Sequence, residues 1–201
     1  MLGITLANDA YLERLRAEIA RLDRAAMQCW SDLIYQAWEH NRSIFVLGNG
    51  GSATTASHIA EDFGKSTLRD EELRQEGARR LRILSLTDNV GWITAVGNDL
   101  AYDEIFVQQL MNYGREGDLV IAISGSGNSR NVLKAVEWAN RQGLVTFGLT
   151  GYNGGRLKQI QQHGLHVDLN DMGMVEGIHL CVSHWVLNDV YARIHREGRH
   201  A

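Results

Sequence analysis

The sequence predicts a three-layer α/β/α sandwich with a central five-stranded parallel sheet, preceded by a long N-terminal helical segment. Two observations predict this fold class. Short apolar runs typical of buried strands recur at 43–47, 82–86, 119–123, 144–149 and 165–169. Helix-like segments lie between and after these runs, at 52–63, 91–113, 129–142, 154–162 and 174–196. Strands that alternate with helices form a parallel sheet covered by helices on both faces.

The chain begins with a helical segment over residues 8–40. Asn8 or Asp9 can cap it. Apolar side chains recur in it at spacings of three and four residues, at Leu12, Leu15, Ile19, Leu22, Ala26, Cys29, Leu33 and Ala37. This is long for one globular helix, so we expect a break near Asp23 or Ser31. A long leading helical hairpin often packs against another subunit, which predicts an oligomer.

Length and charge limit the possible functions. The 201 residues fit one domain, in which 1–41 form the oligomerising helical segment and 42–201 the α/β core. The net charge of −4 gives no reason to expect nucleic acid as a partner. No apolar stretch is long enough to cross a membrane, and we expect no signal peptide.

The two cysteines, Cys29 and Cys181, form no CxxC pair, which argues against a zinc finger or a redox motif. Both lie in apolar helical patterns, so we expect buried free thiols. Free thiols fit a reducing compartment and predict a cytoplasmic protein.

Two loops rich in glycine and serine each lie between a predicted strand and a predicted helix. Loop 1 is Gly48-Asn-Gly-Gly-Ser52, and loop 2 is Ser124-Gly-Ser-Gly-Asn-Ser129. Glycines let backbone amides approach a ligand closely, and a helix start offers unpaired amides and partial positive charge. In parallel sheets, ligands bind beyond the carboxyl ends of the strands. The two loops together therefore predict a phosphate site.

Each loop alone could equally be a tight turn followed by a helix cap. Neither loop fits the GxGxxG motif of dinucleotide-binding proteins, and no Gly-Lys-Ser/Thr sequence closes a P-loop. The presence of two such loops in one small sheet favours an anion site over two structural turns.

The motifs together resemble the sugar isomerase (SIS) family, and their order is similar to that of the phosphoheptose isomerases. The motifs that carry this resemblance are loop 1, the following helix with His58, the segment Val96-Gly-Asn-Asp99 and loop 2. The resemblance runs from about residue 10 to 195. It implies a homotetramer whose active sites lie between subunits, and a zinc ion in some members. The sugar-phosphate contacts that it implies are Asn49, Gly50, Gly51, Ser52, Asn98, Asp99, Ser124, Gly125, Ser126 and Ser129.

An aldose–ketose isomerase needs a base near a C–H bond, an acid near the carbonyl oxygen and stabilisation of the developing charge. His58 and Asp62 are four residues apart, which places both on one helix face, where they could share a metal or form a simple surface pair. The resemblance makes Asp62 the base and a metal ligand, and His184 the general acid and a metal ligand. It also places Glu176 in contact with substrate and metal, so the implied zinc ligands are His58, Asp62, Glu176 and His184.

Three residues depart from the family pattern. Asp62 replaces a glutamate, Glu176 replaces a glutamine, and Gly125 stands where a threonine is frequent. Glu176 and His184 are eight residues apart, about 12 Å along a straight helix, which is too far for one metal. Either residue 176 precedes the regular helix, or the two ligands come from different subunits.

The charged segment 64–80 predicts a solvated helix and loop, or else a lid in which Lys65 approaches the phosphate. His179 lies far around the last helix from His184, which indicates another role, either packing or contact with a neighbouring site. The resemblance implies conversion of sedoheptulose 7-phosphate to a heptose 7-phosphate through an enediol, for heptose biosynthesis. The alternatives are a non-catalytic SIS regulator that binds sugar phosphates, a protein that binds a replication initiator, and an isomerase of another ketose phosphate.

Overall fold

The computed structural model describes residues 5–196, so the ends of the assigned domain, 1–4 and 197–201, lie outside it. Five strands form one parallel sheet in the order β2-β1-β3-β4-β5. The strands are β1 (Ser43–Gly48), β2 (Arg82–Ser85), β3 (Leu119–Ser124), β4 (Val145–Thr150) and β5 (His163–His166). The helices are α1 (Asn8–Ala20), α2 (Arg24–Glu39), α3 (Gly51–Lys65), α4 (Val90–Asp99), α5 (Val107–Tyr113), α6 (Arg130–Arg141), α7 (Leu157–Ile160) and α8 (Met172–Ile194).

Helices cover both faces of the sheet, and the central strands β1, β3 and β4 are buried, which confirms the predicted three-layer α/β/α sandwich. Side chains alternate along β3, so that Leu119, Ile121 and Ile123 join one apolar cluster with α2, α3 and α8. Val120 and Ala122 join the other cluster, with residues of α5, α6 and α7. Two covered faces explain why the strands read as continuous apolar runs in the sequence.

β1 and β3 are neighbours, and Gly48 at the end of β1 is in register with Ile123 of β3. The chain leaves these two strands toward opposite faces, because α3 belongs to one cluster and α6 to the other. Their carboxyl ends therefore border the crevice where ligands bind in open parallel sheets. Loops 1 and 2 lie at this crevice.

The N-terminal segment breaks at Asp23, one of the two predicted places. The Asp23 carboxylate caps α2 by accepting hydrogen bonds from the amides of Ala25 and Ala26. Ser31, the other expected place, is buried within α2. In the described chain α1 has no buried residue, and Leu12 is 61% exposed.

The structure corrects several boundaries. The predicted helix over 91–113 is two helices separated by a 3-10 turn at Tyr102–Glu104, because α4 ends at Gly97-Asn-Asp99, a run of poor helix formers. The predicted helix over 154–162 is a single turn, since Gly154 and Gly155 have positive φ.

β5 covers 163–166 rather than the predicted 165–169. Val167 and Leu169 stay buried beyond the strand, which explains the misleading apolar pattern. The expectation of buried thiols is wrong for Cys181, which is exposed, while Cys29 is half-buried. No helix among the described residues has the length and apolar character that crossing a membrane requires.

Candidate active site

Three side chains that the sequence singled out meet between α3 and α8. His58 and Asp62 lie one turn apart on α3, and His184 lies on α8, which packs beside α3. Asp62 Oδ2 is 3.1 Å from His58 Nε2 and 3.3 Å from His184 Nε2. The two imidazole Nε2 atoms are 3.3 Å apart. Both histidines are about half exposed, so this triad is open to solvent and to ligands.

The donor set and its spacing fit a divalent metal ion. The three ligand atoms form a nearly equilateral triangle, and the group meets the geometric requirement for a shared metal. Zinc binds nitrogen and carboxylate oxygen at about 2.0–2.2 Å, which places tetrahedral ligands about 3.3–3.5 Å from one another. Unprotonated nitrogens and a carboxylate at this distance repel one another unless a proton or a cation lies among them. Three protein ligands leave a fourth position for water or substrate.

Loop 1 connects β1 directly to α3. Gly50 has φ +56°, a conformation that favours glycine, and its carbonyl accepts the amides of Ala53 and Thr54 as α3 begins. The first amides of the helix, those of Gly51 and Ser52, have no intrahelical acceptor. Loop 1 is therefore built to present backbone amides at the crevice, as the sequence predicted.

Loop 2 is held rigidly by the segment that follows β4. A Cβ atom on Gly127, which has φ +66°, would lie 2.5 Å from the Gly154 carbonyl carbon, so only glycine fits. Asn128 accepts a hydrogen bond from the Arg156 amide and donates one to the Ser126 carbonyl.

The three serine hydroxyls of loop 2 have different surroundings. Ser124 is buried and donates to Ser129 Oγ at 3.2 Å. Ser126 is exposed, and its hydroxyl accepts the Asn128 amide at 3.3 Å. In these contacts the Ser126 and Ser129 hydroxyl oxygens accept hydrogen bonds, so their O–H groups can still donate to a ligand.

The first two turns of α8 cover both loops. A Cβ atom on Gly51 would lie 2.5 Å from Glu176 Oε2, and a Cβ atom on Gly125 would lie 2.8 Å from Met172 Cε. Met172 and Glu176 are four residues apart and so share one helix face. The Met172 side chain thus occupies the space that a side chain at position 125 would need. Sequence reasoning missed Met172, because nothing local connects it with loop 2.

Glu176 lies inside the regular helix, so the first alternative, that residue 176 precedes α8, is wrong. It is two turns from His184, and its carboxylate lies against loop 1. The structure therefore brings His58, Asp62 and His184 together within one chain, and leaves Glu176 of that chain apart from them, against loop 1.

Asn98 and Asp99 lie exposed at the end of α4, where Asn98 Nδ2 donates to Asp99 Oδ1 at 2.8 Å. Lys65, considered for a lid, is exposed and pairs with Glu61 at 2.9 Å. The charged stretch after α3 consists of turns. These turns lie away from loop 1, since α3 begins at the carboxyl end of β1 and runs back toward the start of the parallel strand β2.

His179 has a packing role, which is one of the two alternatives that its position on the helix indicated. It is 1% exposed, and its Nε2 donates to the Thr150 carbonyl at 3.3 Å. Burial lowers the pKa of His179 to about 4, although the hydrogen bond to Thr150 opposes this shift. The pKa of His166, which contacts the Thr150 hydroxyl, is also lowered by burial.

Comparison with known proteins identifies the family of this chain. The sequence profile described as SIS domain matches residues 9–151. The chain belongs to the SIS domain family. Its relatives include the phosphoheptose isomerase of Chlorobium phaeobacteroides, which is 34% identical over 186 residues, or 92% of this chain and 80% of that protein. The resemblance inferred from the motifs is confirmed.

Solved structures of this SIS chain's relatives have the same fold. The phosphoheptose isomerase of Francisella tularensis is 27% identical with a TM-score of 0.82, covering 92% of this chain and 96% of that one. The phosphoheptose isomerase of Neisseria gonorrhoeae is 27% identical with a TM-score of 0.81, covering 90% and 94%. In each comparison the match extends over nearly all of this chain and nearly all of the solved structure.

Proposed function

We propose that this chain is a phosphoheptose isomerase, which converts sedoheptulose 7-phosphate to a heptose 7-phosphate for heptose biosynthesis. The observation that carries the proposal is the meeting of Asp62, His58 and His184 on α3 and α8, two helices whose first turns lie at the anion-type loops. The curated relatives are named phosphoheptose isomerase. A purely regulatory sugar-phosphate module would need the loops but not the acid–base group.

Loop 2 is the proposed phosphate site and loop 1 the proposed sugar site. The hydroxyls of Ser124, Ser126 and Ser129 and the amides near Gly125 suit the phosphate oxygens. At loop 1 the Glu176 carboxylate would repel a phosphate, but it can accept hydrogen bonds from sugar hydroxyls. The remaining proposed sugar contacts are Asn49, Gly50, Gly51, Ser52, Asn98 and Asp99.

The proposed chemistry moves one proton between adjacent carbons. Asp62 removes a proton from C1 of the ketose while His184 donates a proton to the carbonyl oxygen on C2, which gives an enediol. Return of a proton to C2 and loss of the proton on O1 produce the aldose carbonyl at C1. Because Asp62 Oδ2 faces both histidines, its second oxygen, Oδ1, is the one available to the substrate.

We further propose one divalent ion, zinc, per active site, held by His58, Asp62 and His184. When bound, such an ion polarises a carbonyl and stabilises negative charge on oxygen. Glu176 was also expected as a ligand. Within one chain it is two helical turns from His184, so it could serve only from a neighbouring subunit.

The proposed assembly is a homotetramer with active sites between subunits, in the cytoplasm. The unburied α1 supports an assembly, as does an apolar groove of about 440 Å³ between the N-terminal helices and α8. The groove is lined by Ile19, Leu22, Arg24, Met27, Gln28, Ile178, Cys181, Val182 and Trp185. Its Trp185 follows His184 in sequence, so a subunit seated there would lie next to the triad.

The test is incubation of the purified protein with sedoheptulose 7-phosphate, with and without added zinc, followed by NMR of the products. We expect aldose formation by the wild type, and loss of turnover with retained phosphate binding in Asp62→Asn and His184→Ala. His163→Ala, which changes an exposed histidine on β5, is the matched control and should keep activity. Full activity of either triad variant would refute the assigned roles.

A further inference from the structure

We propose that Asn131 and Tyr102 are positioning residues that fix the side-chain amide of Asn49 for recognition of a sugar hydroxyl. Asn131 lies on α6, Tyr102 lies in the 3-10 turn, and Asn49 lies in loop 1. The inference rests on the proposed function, because it takes Asn49 as a sugar contact. Neither positioning residue is adjacent to loop 1 in sequence.

The orientation of Asn131 follows from a backbone donor. The amide of Val132 donates to Asn131 Oδ1 at 2.9 Å, and a backbone N–H can only donate. The atom facing it must therefore be the oxygen of the Asn131 side chain, which leaves Asn131 Nδ2 as the group that faces Asn49. Asn131 is 2% exposed, so its side chain has no alternative contact with bulk solvent.

This orientation dictates that of Asn49. Asn131 Nδ2 donates to Asn49 Oδ1 at 2.8 Å, and Asn49 Nδ2 donates back to Asn131 Oδ1 at 2.8 Å. The Tyr102 hydroxyl donates to the same Asn49 Oδ1 at 2.9 Å. With the oxygen accepting two hydrogen bonds and one Nδ2 hydrogen engaged, the second Nδ2 hydrogen is left as a donor for a ligand. Asn49 is only half-buried, so that donor is accessible.

Two ion pairs connect the 3-10 turn that contains Tyr102 to α6, the helix that contains Asn131. Asp103 forms an ion pair with Arg130 at 3.1 Å, and Glu104 pairs with Lys134. Tyr102 is itself 59% exposed, so its contact with Asn49 lies near the surface of the protein. A fixed turn that holds an exposed phenol against Asn49 is consistent with a positioning function at the mouth of the crevice.

The proposed positioning role predicts different effects on the binding of two ligands. Sedoheptulose 7-phosphate would contact both loops, whereas inorganic phosphate would occupy loop 2 alone. Loss of the Tyr102 hydroxyl should therefore weaken the sugar phosphate without affecting inorganic phosphate. A defect in folding would weaken both ligands together.

The test measures the dissociation constants of both ligands by calorimetry for the wild type, Tyr102→Phe and Asn131→Asp. Asn131→Asp keeps the shape of the side chain but cannot donate to Asn49. We expect each variant to bind sedoheptulose 7-phosphate about fivefold more weakly and inorganic phosphate within about twofold of the wild type. Tyr113→Phe, at another exposed tyrosine, is the control and should change neither constant.

Equal weakening of both ligands, or unchanged sugar-phosphate binding in Tyr102→Phe, would overturn the proposal. The variant at the buried Asn131 could fail to fold, so the result for Tyr102→Phe, at an exposed position, decides whether the proposal holds. Should the wild type itself fail to bind sedoheptulose 7-phosphate, the proposed function is refuted, and the positioning role is then judged without ligand. Hydrogen exchange of the Asn49 side-chain amide, followed by NMR, should be severalfold faster in Tyr102→Phe, and equal rates would contradict positioning.

Discussion

Replacing Gly125 by threonine tests how α8 covers loop 2. In the wild type a Cβ atom at position 125 would lie 2.8 Å from Met172 Cε, well inside normal van der Waals contact. Threonine adds two further heavy atoms in the same direction. Overpacking of a buried site costs about 1–3 kcal/mol, so Gly125→Thr should lower the free energy of unfolding by about 2 kcal/mol.

A second substitution separates this clash from other effects. Met172→Ala removes the obstructing side chain, so in that background the cost of Gly125→Thr should fall below about 0.5 kcal/mol. Urea denaturation at one protein concentration would give the four free energies of the cycle. Gly91→Thr, at a glycine on α4 with no atom near its missing Cβ, is the control and should show no coupling with Met172→Ala. Additive costs of Gly125→Thr and Met172→Ala would refute the proposed contact.

Three other perturbations follow from the same structure. Because the pKa of His179 is about 4 in the folded protein and about 6.5 when unfolded, its contribution to stability is fully present above pH 6.5 and lost as the pH falls. Between pH 7.5 and 5 this loss should be about 2 kcal/mol in urea titrations and absent in His179→Gln; identical pH slopes would contradict it. Ser31→Ala removes the 2.5 Å hydrogen bond to the buried Asp189 carboxylate and should lower the free energy of unfolding by about 1–3 kcal/mol. An unchanged free energy of unfolding would contradict this prediction. Gly50→Ala places a side chain at a backbone position with φ +56° and should weaken sugar-phosphate binding, measured by calorimetry. Equal affinity of the variant and the wild type would show that binding does not depend on this conformation of loop 1.

Local sequence patterns were sufficient for the sheet and the two loops. Strands such as 119–124 are buried on both sides, so their side chains are apolar whichever face they point to. Loops 1 and 2 contain glycines at backbone positions that need them. His58 and Asp62 are one helical turn apart, so their proximity is also a local property.

The remaining features depend on contacts between distant parts of the chain. Met172 and Gly125 are complementary in size only because α8 lies across loop 2. The contacts of Asn131 and Tyr102 with Asn49 join three separate elements. No periodicity or motif encodes such contacts, which is why sequence reasoning found the loops and the triad but missed Met172, Asn131 and Tyr102.

Solvent deuterium incorporation tests the central claim most directly. Proton transfer through an enediol exposes the migrating hydrogen to the proposed base, Asp62, and therefore to exchange with solvent. When the protein is incubated with sedoheptulose 7-phosphate in deuterated water, NMR should reveal an aldose product with deuterium at C2, and Asp62→Asn should abolish this signal. A wild-type protein that binds the sugar phosphate yet forms no aldose and incorporates no deuterium would contradict the account.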